Sequence, residues 1–334
     1  SKPIRRSEGN LGPPLLRIYV TGIEEKKRRR RRISLPSEWK NRNYWKDTGW
    51  AYIYLIPSLI ILGVFVFYPF FSAFRISLYK WSFTNPPGVF VGLGHYKYLF
   101  HDKYFWRAIW HTFYFVGINV PATLLIALFV ASLLNKPLKF LSFARTSYYL
   151  AYITPVVAMV MVWRLIYNPQ YGLLNYLLSF LGINLVNWLN DPDFALPAVI
   201  IMNVWRYVGY EAIILLAGLQ NIDKMYYEAA RIDGASGFQV WRKITVPLLT
   251  PQIFFVLVIS LIGSFKVFTE IYVLFNGPGP LKSAETLVYY IMRQGFFGTP
   301  HYGRAAAASV VLFVIIFVFT LFQLLVTQKR VHYQ

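Results

Sequence analysis

The feature that most constrains this chain is a series of apolar runs, each about 20 residues or longer, recurring from Trp50 to Thr327. That is the length an α-helix needs to cross the roughly 30 Å hydrocarbon core of a bilayer. A helix bonds its own amides and carbonyls, which no water inside the bilayer can do for it. Six runs are expected as spans, about 50–74, 109–134, 147–167, 195–219, 252–275 and 305–327. Only 14% of the 334 residues are charged, against roughly 25% in a soluble chain. Prolines 57, 121, 155 and 197 fall inside or at the ends of these runs, where packing can satisfy the carbonyls they free. The expected fold class is an all-α integral membrane protein with six transmembrane helices.

The net charge of +20 does not point to nucleic acid, because of where it sits: 14 of the 34 Lys and Arg precede Trp50. A basic stretch beside a span holds that end in the cytoplasm and attracts anionic lipid. With the N-terminus inside, segments 1–49, 135–146, 220–251 and 328–334 hold 23 Lys and Arg, and the external segments 75–108, 168–194 and 276–304 hold 8. Both termini are therefore expected in the cytoplasm. The division expected is a basic arm, 1–49, then a six-helix membrane domain, 50–330. The arm is read as a lipid-touching tail, with assembly or regulation as the sharper alternative. It does not resemble a signal peptide, so the first span is expected to stay in the mature chain.

Between the fourth and fifth spans lies YEAARIDGASGFQVWRKITVPLLTP, residues 227–251, within the loop 220–251. Met225–Ile232 reads as a helix whose Ala229 and Ala230 leave a low surface for close approach. Gly234 permits a backbone turn that other residues disfavour. Ser236 can cap a second helix, Phe238–Ile244, in which Phe238, Trp241 and Ile244 share a face. Pro247 and Pro251 close the segment.

This loop resembles the EAA motif of the permease subunits of binding-protein-dependent ABC importers. The matching residues are Glu228, Ala229, Ala230, Asp233, Gly234, Ala235, Ile244 and Pro247-Leu248-Leu249. Val246 stands where that family usually has Leu. The likeness runs from about Tyr52 to Arg330 and is greatest to sugar and glycerol-phosphate importers of the maltose type. It implies the type I importer permease fold in a bacterial or archaeal cell (inner) membrane, and a loop that couples to a partner ATPase. It further implies a second homologous permease, two ATPase subunits carrying ATP and Mg, and an external solute-binding protein. The chain itself would bind no cofactor and form half of the path for a sugar or glycerophospho-type solute. An ion-gradient-driven secondary transporter is the alternative reading.

No catalytic or metal-binding constellation is present. The five histidines are scattered, without metal-ligand spacing, and there is no cysteine. Gly277–Ser283 lacks the second glycine of a phosphate loop, and its two prolines remove amide donors. Charges inside spans normally face a cavity or a partner. Arg206, Glu211, Lys266 and Glu270, with Asn119 and Asn203, are therefore the candidate solute-path residues. Lys266 and Glu270, four apart on one face of the fifth span, are placed to pair with each other. Arg164 is expected to reach the outer interface.

Overall fold

The computed structural model describes residues 42–82, 85–135 and 141–328. Most of the basic arm, including Lys26–Arg32, lies outside the described residues. Two compact units divide at Pro69 and Phe70. In the first, helix α1 (Arg42–Leu62) runs through Pro57 and passes into a π-helical turn, Gly63–Phe67. Tyr54, Phe65 and Phe67 on it are exposed, a surface suited to lipid or another subunit rather than water. Helix α2 (Tyr68–Ser77) completes an unbroken apolar stretch, Tyr52–Ser77.

The second unit is mainly helical. Strands β1 (Tyr79–Ser82) and β2 (Asn85–Phe90) pair antiparallel, with Tyr79 opposite Phe90 and Lys80 opposite Val89. Among the described residues this hairpin is the departure from an all-helical fold. Helix α3 (Gly94–His101) leads into α4 (Lys103–Leu134), which is capped by the Asp102 carboxylate accepting from the Tyr104 amide at 2.9 Å. Helices α5 (Leu141–Ile153) and α6 (Val156–Ile166) meet at 104° across Thr154-Pro155. After the short α7 (Leu173–Ser179) comes α8 (Pro192–Gln220), capped by Asp191. Among the described residues, four unbroken helical stretches are long and apolar enough to cross a membrane, or up to six if each of two bent pairs counts as one span. The expected third span is thus a broken one.

The fifth span also departs from the continuous helix expected. Helix α9 (Lys224–Ile232) and α10 (Gly237–Val240) form the loop, followed by a π-helical turn at Trp241–Thr245 and α11 (Val246–Leu248). A 66° bend at Leu249 then starts α12 (Thr250–Phe265). Helix α12 stops at Lys266, and the chain resumes as α13 (Thr269–Phe275). Phe268 leaves the helical region at φ −149° and ψ −57°, and the carbonyl freed at Val267 accepts from the Thr286 hydroxyl at 2.9 Å. That buried bond replaces the helical one the break removes. Helices α14 (Leu287–Phe296) and α15 (Tyr302–Gln328) follow.

Helices α4 and α8 pack along the centre of the unit. Ala127, Ala131 and Ala212 are fully buried between them, small enough to let the backbones approach without a hydrophobic drive from water. Gly209 of α8 extends this: a Cβ there would lie 2.1 Å from the Tyr148 carbonyl oxygen of α5. Gly209→Val should displace α5 and cost roughly 1–3 kcal/mol by overpacking, lowering the thermal unfolding midpoint of the purified protein. Gly117→Ala, whose Cβ would meet nothing within 4 Å, should leave that midpoint unchanged or raise it slightly.

Candidate functional site

Asn203, Arg206, Tyr207, Tyr210 and Glu211 recur at helical spacing on α8, a polar stripe on an otherwise apolar helix. The stripe faces a cavity of about 520 Å³, which it lines together with Asn119 of α4, Tyr152 beside the α5–α6 break, and Ser260–Glu270 around the α12–α13 break. All six sequence-predicted path residues border this one cavity: Asn119, Asn203, Arg206, Glu211, Lys266 and Glu270. The α5–α6 break and the α12–α13 break both border it, as irregular backbone at membrane depth requires.

Glu270 does not pair with Lys266. The break removes the four-residue helical relation between them, and Glu270 instead accepts from Arg206, Nη1 to Oε1 at 3.0 Å, with both side chains about 90% buried (11% and 10% exposed). The Arg206 guanidinium also lies over the Tyr207 ring at 5.2 Å and the Tyr152 ring at 6.0 Å. Lys266 caps α12 and is exposed. Asn119 donates to Ser264 Oγ at 3.0 Å, and Asn203 to the Val199 carbonyl of its own helix at 3.2 Å. Three buried polar atoms on the lining residues have no partner among the described residues: Asn119 Oδ1, Arg206 Nε and Glu211 Oε2. They comprise two acceptors and one donor, on a wall that also carries the stacked rings of Tyr152 and Tyr210, 4.3 Å apart.

The tyrosines were missed by a reading that looked for charge. Their signal was the spacing 203, 206/207, 210/211, legible once α8 is drawn as a helix. Trp205, on the same helix, lies outside the cavity and meets Trp163 edge to face at 5.6 Å. Arg164 is exposed in the last turn of α6 and lines a separate cavity with Asn168 and Asn190.

The loop 223–249 has its own defined geometry. Asp223 caps α9, and α9 ends in a Schellman turn: the Ala235 amide donates to Ala230 O and the Gly234 amide to Arg231 O, at 3.0 and 3.1 Å. Gly234 sits at the left-handed position of that turn with φ +67°. Ser236 and Gln239 form a reciprocal capping box on α10. Ala229, Ala230, Asp233, Gly234 and Ile244 line a shared groove of about 560 Å³ between the two helical arms. Glu228 and Pro247 are exposed outside it, and Ile232, Phe238 and Met225 present apolar side chains outward.

Two spans broken beside a polar cavity, with a helical loop at one end, define a multi-pass membrane transport protein. Residues 88–332 match the family of binding-protein-dependent transport system inner membrane components, and the chain belongs to that family. It is a permease component of the cell membrane and not a catalytic subunit. It is 34% identical over 287 residues to the trehalose/maltose transport system permease protein MalF of Thermococcus litoralis, covering 86% of this chain and 96% of that one. To the lactose transport system permease protein LacF of Rhizobium radiobacter it is 32% identical over 293 residues, 86% and 97% of the two chains. Its fold is similar to a chain of the bacterial alginate ABC transporter crystallised with an alginate pentasaccharide-bound periplasmic protein. The TM-score is 0.73 at 28% identity, over 85% of this chain and 97% of that one.

Removing one member of the Arg206–Glu270 pair leaves the other charge buried. Arg206→Ala or Glu270→Ala should each cost roughly 3 kcal/mol, read as a fall in thermal unfolding midpoint. The exchanged double variant Arg206→Glu/Glu270→Arg should recover a measurable part of that loss in a double-mutant cycle.

Proposed function

We propose that this chain is one of two homologous permease subunits of an ATP-driven importer, and that it carries a neutral, hydroxyl-rich sugar or short oligosaccharide. The observation that supports the solute class is the balanced wall of the cavity. Arg206 and Lys266 are matched by Glu211 and Glu270, and the unpartnered atoms include both donors and acceptors. Sugar hydroxyls are donors and acceptors at once, and sugar rings stack on aromatic faces such as those of Tyr152 and Tyr210. A glycerophospho-type solute would call for a surplus of cations, which this wall lacks. The named solutes of the relatives, trehalose/maltose and lactose, are in keeping with the neutral class.

The ATPase reading rests on the loop. Its exposed Glu228, Ile232 and Phe238 around the small-residue groove offer a partner a charged and an apolar contact on a fixed frame. Charge counting puts this loop and both termini on the cytoplasmic side, where ATP is. Two ATPase subunits, with ATP and Mg, and an external solute-binding protein complete the assembly. The periplasmic protein in the alginate complex supports the last of these. Glu228, Ala229, Ala230, Asp233, Gly234, Ile244 and Pro247 are the coupling residues, and Asn119, Asn203, Arg206, Glu211, Lys266 and Glu270 contact the solute. Family membership leaves the ion-gradient alternative without a supporting observation.

ATP-dependent uptake into proteoliposomes, with the co-purifying partners, tests the solute class. Neutral oligosaccharide should accumulate and glycerol 3-phosphate should not; accumulation of the phosphate ester alone would refute the proposal. Gly234→Ala places a Cβ in a left-handed conformation at about 1–2 kcal/mol, with no steric clash to confuse the result. It should lower uptake per ATP hydrolysed, and Gly234→Asn, which tolerates that conformation, should lower it less.

A further inference from the structure

At the end of the second unit remote from the loop 223–249, the β-hairpin, α3 and the first turn of α15 bring four basic side chains together. His95 Nε2 is 3.0 Å from the Tyr79 carbonyl. Gly303 makes that approach possible, since a Cβ there would lie 2.4 Å from both His95 Nε2 and Tyr79 O. The next residue, Arg304, stacks on the Tyr98 ring at 3.8 Å. Lys80 and His301 complete the group, and the charges of Lys80 and Arg304 act on both histidines.

Among the described residues, no carboxylate forms an ion pair with any of the four. In segments 75–108 and 276–304 the acids are Asp102 and Glu285, and both are engaged elsewhere. Asp102 caps α4 and accepts from the Tyr290 hydroxyl, and Glu285 is paired with Arg293. Burial and the neighbouring cations hold the imidazoles of His95 and His301 below their ordinary pKa. Like charges gathered without a counter-ion oppose folding, and an anion seated among them reverses that cost.

The position says which anion. The group lies at the ends of two apolar stretches, Tyr52–Ser77 and Tyr302–Leu325, where a bilayer crossed by them has its headgroups. Beside it the hairpin and the turn after it expose Val89, Phe90 and Leu93 at 70%, 63% and 70%. Apolar side chains next to cations are the composition of a surface that lies in a membrane interface.

We propose that Lys80, His95, His301 and Arg304 form a seat for the phosphate of an anionic phospholipid, with Val89, Phe90 and Leu93 dipping into the acyl boundary beside it. The site is independent of which solute is carried. A bound phosphate favours imidazolium, so lipid binding takes up protons and tightens as pH falls.

The test uses the full chain in the assembly with which it purifies, placed in nanodiscs of phosphatidylcholine with or without phosphatidylglycerol. Retained lipid is read by native mass spectrometry. The wild type should retain phosphatidylglycerol in preference to phosphatidylcholine, and more strongly at pH about 5.5 than at about 8, across the ordinary imidazole range. Lys80→Gln and His301→Gln leave the Arg304–Tyr98 stack untouched. Each should weaken retention about fivefold, the equivalent of ~1 kcal/mol per basic group at a membrane surface. His301→Gln should also flatten the pH dependence. Equal retention of both lipids by the wild type, or unchanged retention in both variants, would overturn the proposal. Displacement of the lipid by inorganic phosphate at matched concentration would show a seat for a soluble anion and overturn the lipid assignment.

Discussion

The ion pair between Arg206 and Glu270 joins the centre of α8 to the first turn of α13 across the polar cavity. An unpaired charge at membrane depth is costly, and each partner makes the other tolerable there. The pair also depends on the break in the fifth span. Because α12 ends at Lys266, Glu270 falls in the first turn of a new helix, where a carboxylate is favoured by the unbonded amides. The break in turn depends on the Thr286 hydroxyl, which satisfies the Val267 carbonyl. Ion pair, break and cavity are thus one arrangement, in which each part removes a cost the others create.

Spans and site differed in how far they could be read in advance. Apolar runs located the membrane segments because the bilayer fixes their length whatever the neighbours are. The loop was legible almost residue by residue: Ser236 caps α10 and Gly234 takes the left-handed turn, since both outcomes are settled within a few residues of chain. The breaks were harder. Pro57, Pro121 and Pro197 remain inside helices, whereas Pro155 marks a bend of 104°, so proline alone does not announce one. At Lys266–Phe268 there is neither proline nor glycine. The residue that stabilises that break, Thr286, lies 19 positions away and is recognised only by its contact. The pairing of Lys266 with Glu270 failed for this reason: it assumed helical spacing across a gap that tertiary contact maintains.

The six candidate path residues come from three helices and a break, yet they share one cavity. Charge in an apolar span is informative because few alternatives to a cavity or a partner exist for it. The aromatic share of the wall carried no such signal, since tyrosine is common throughout this chain, with 25 in the sequence. Only the helical register of Tyr207 and Tyr210 with Asn203 and Glu211 distinguishes these rings from the tyrosines that merely fill space.

The loop and the cavity are far apart but share their supports. Helix α8 carries the polar stripe and runs directly into the loop at Gln220; α12 leaves the loop at Leu249 and ends at Lys266 on the cavity wall. The two helices close together at their loop ends, where a Cβ on Gly218 would lie 2.6 Å from Gln252 and 2.7 Å from Leu249. A 16-residue helix such as α12 is about 24 Å of stiff rod. Asn119, bonded to Ser264, ties the far end of that rod to α4. The Schellman turn and capping box fix α9 against α10, and both exits of the loop lead into helices that line the cavity. Under the coupling role proposed for the loop, a displacement there would be carried along α8 and α12 to change the distance between the stripe on α8 and the break at Lys266, the dimension that would open or close the wall around a solute.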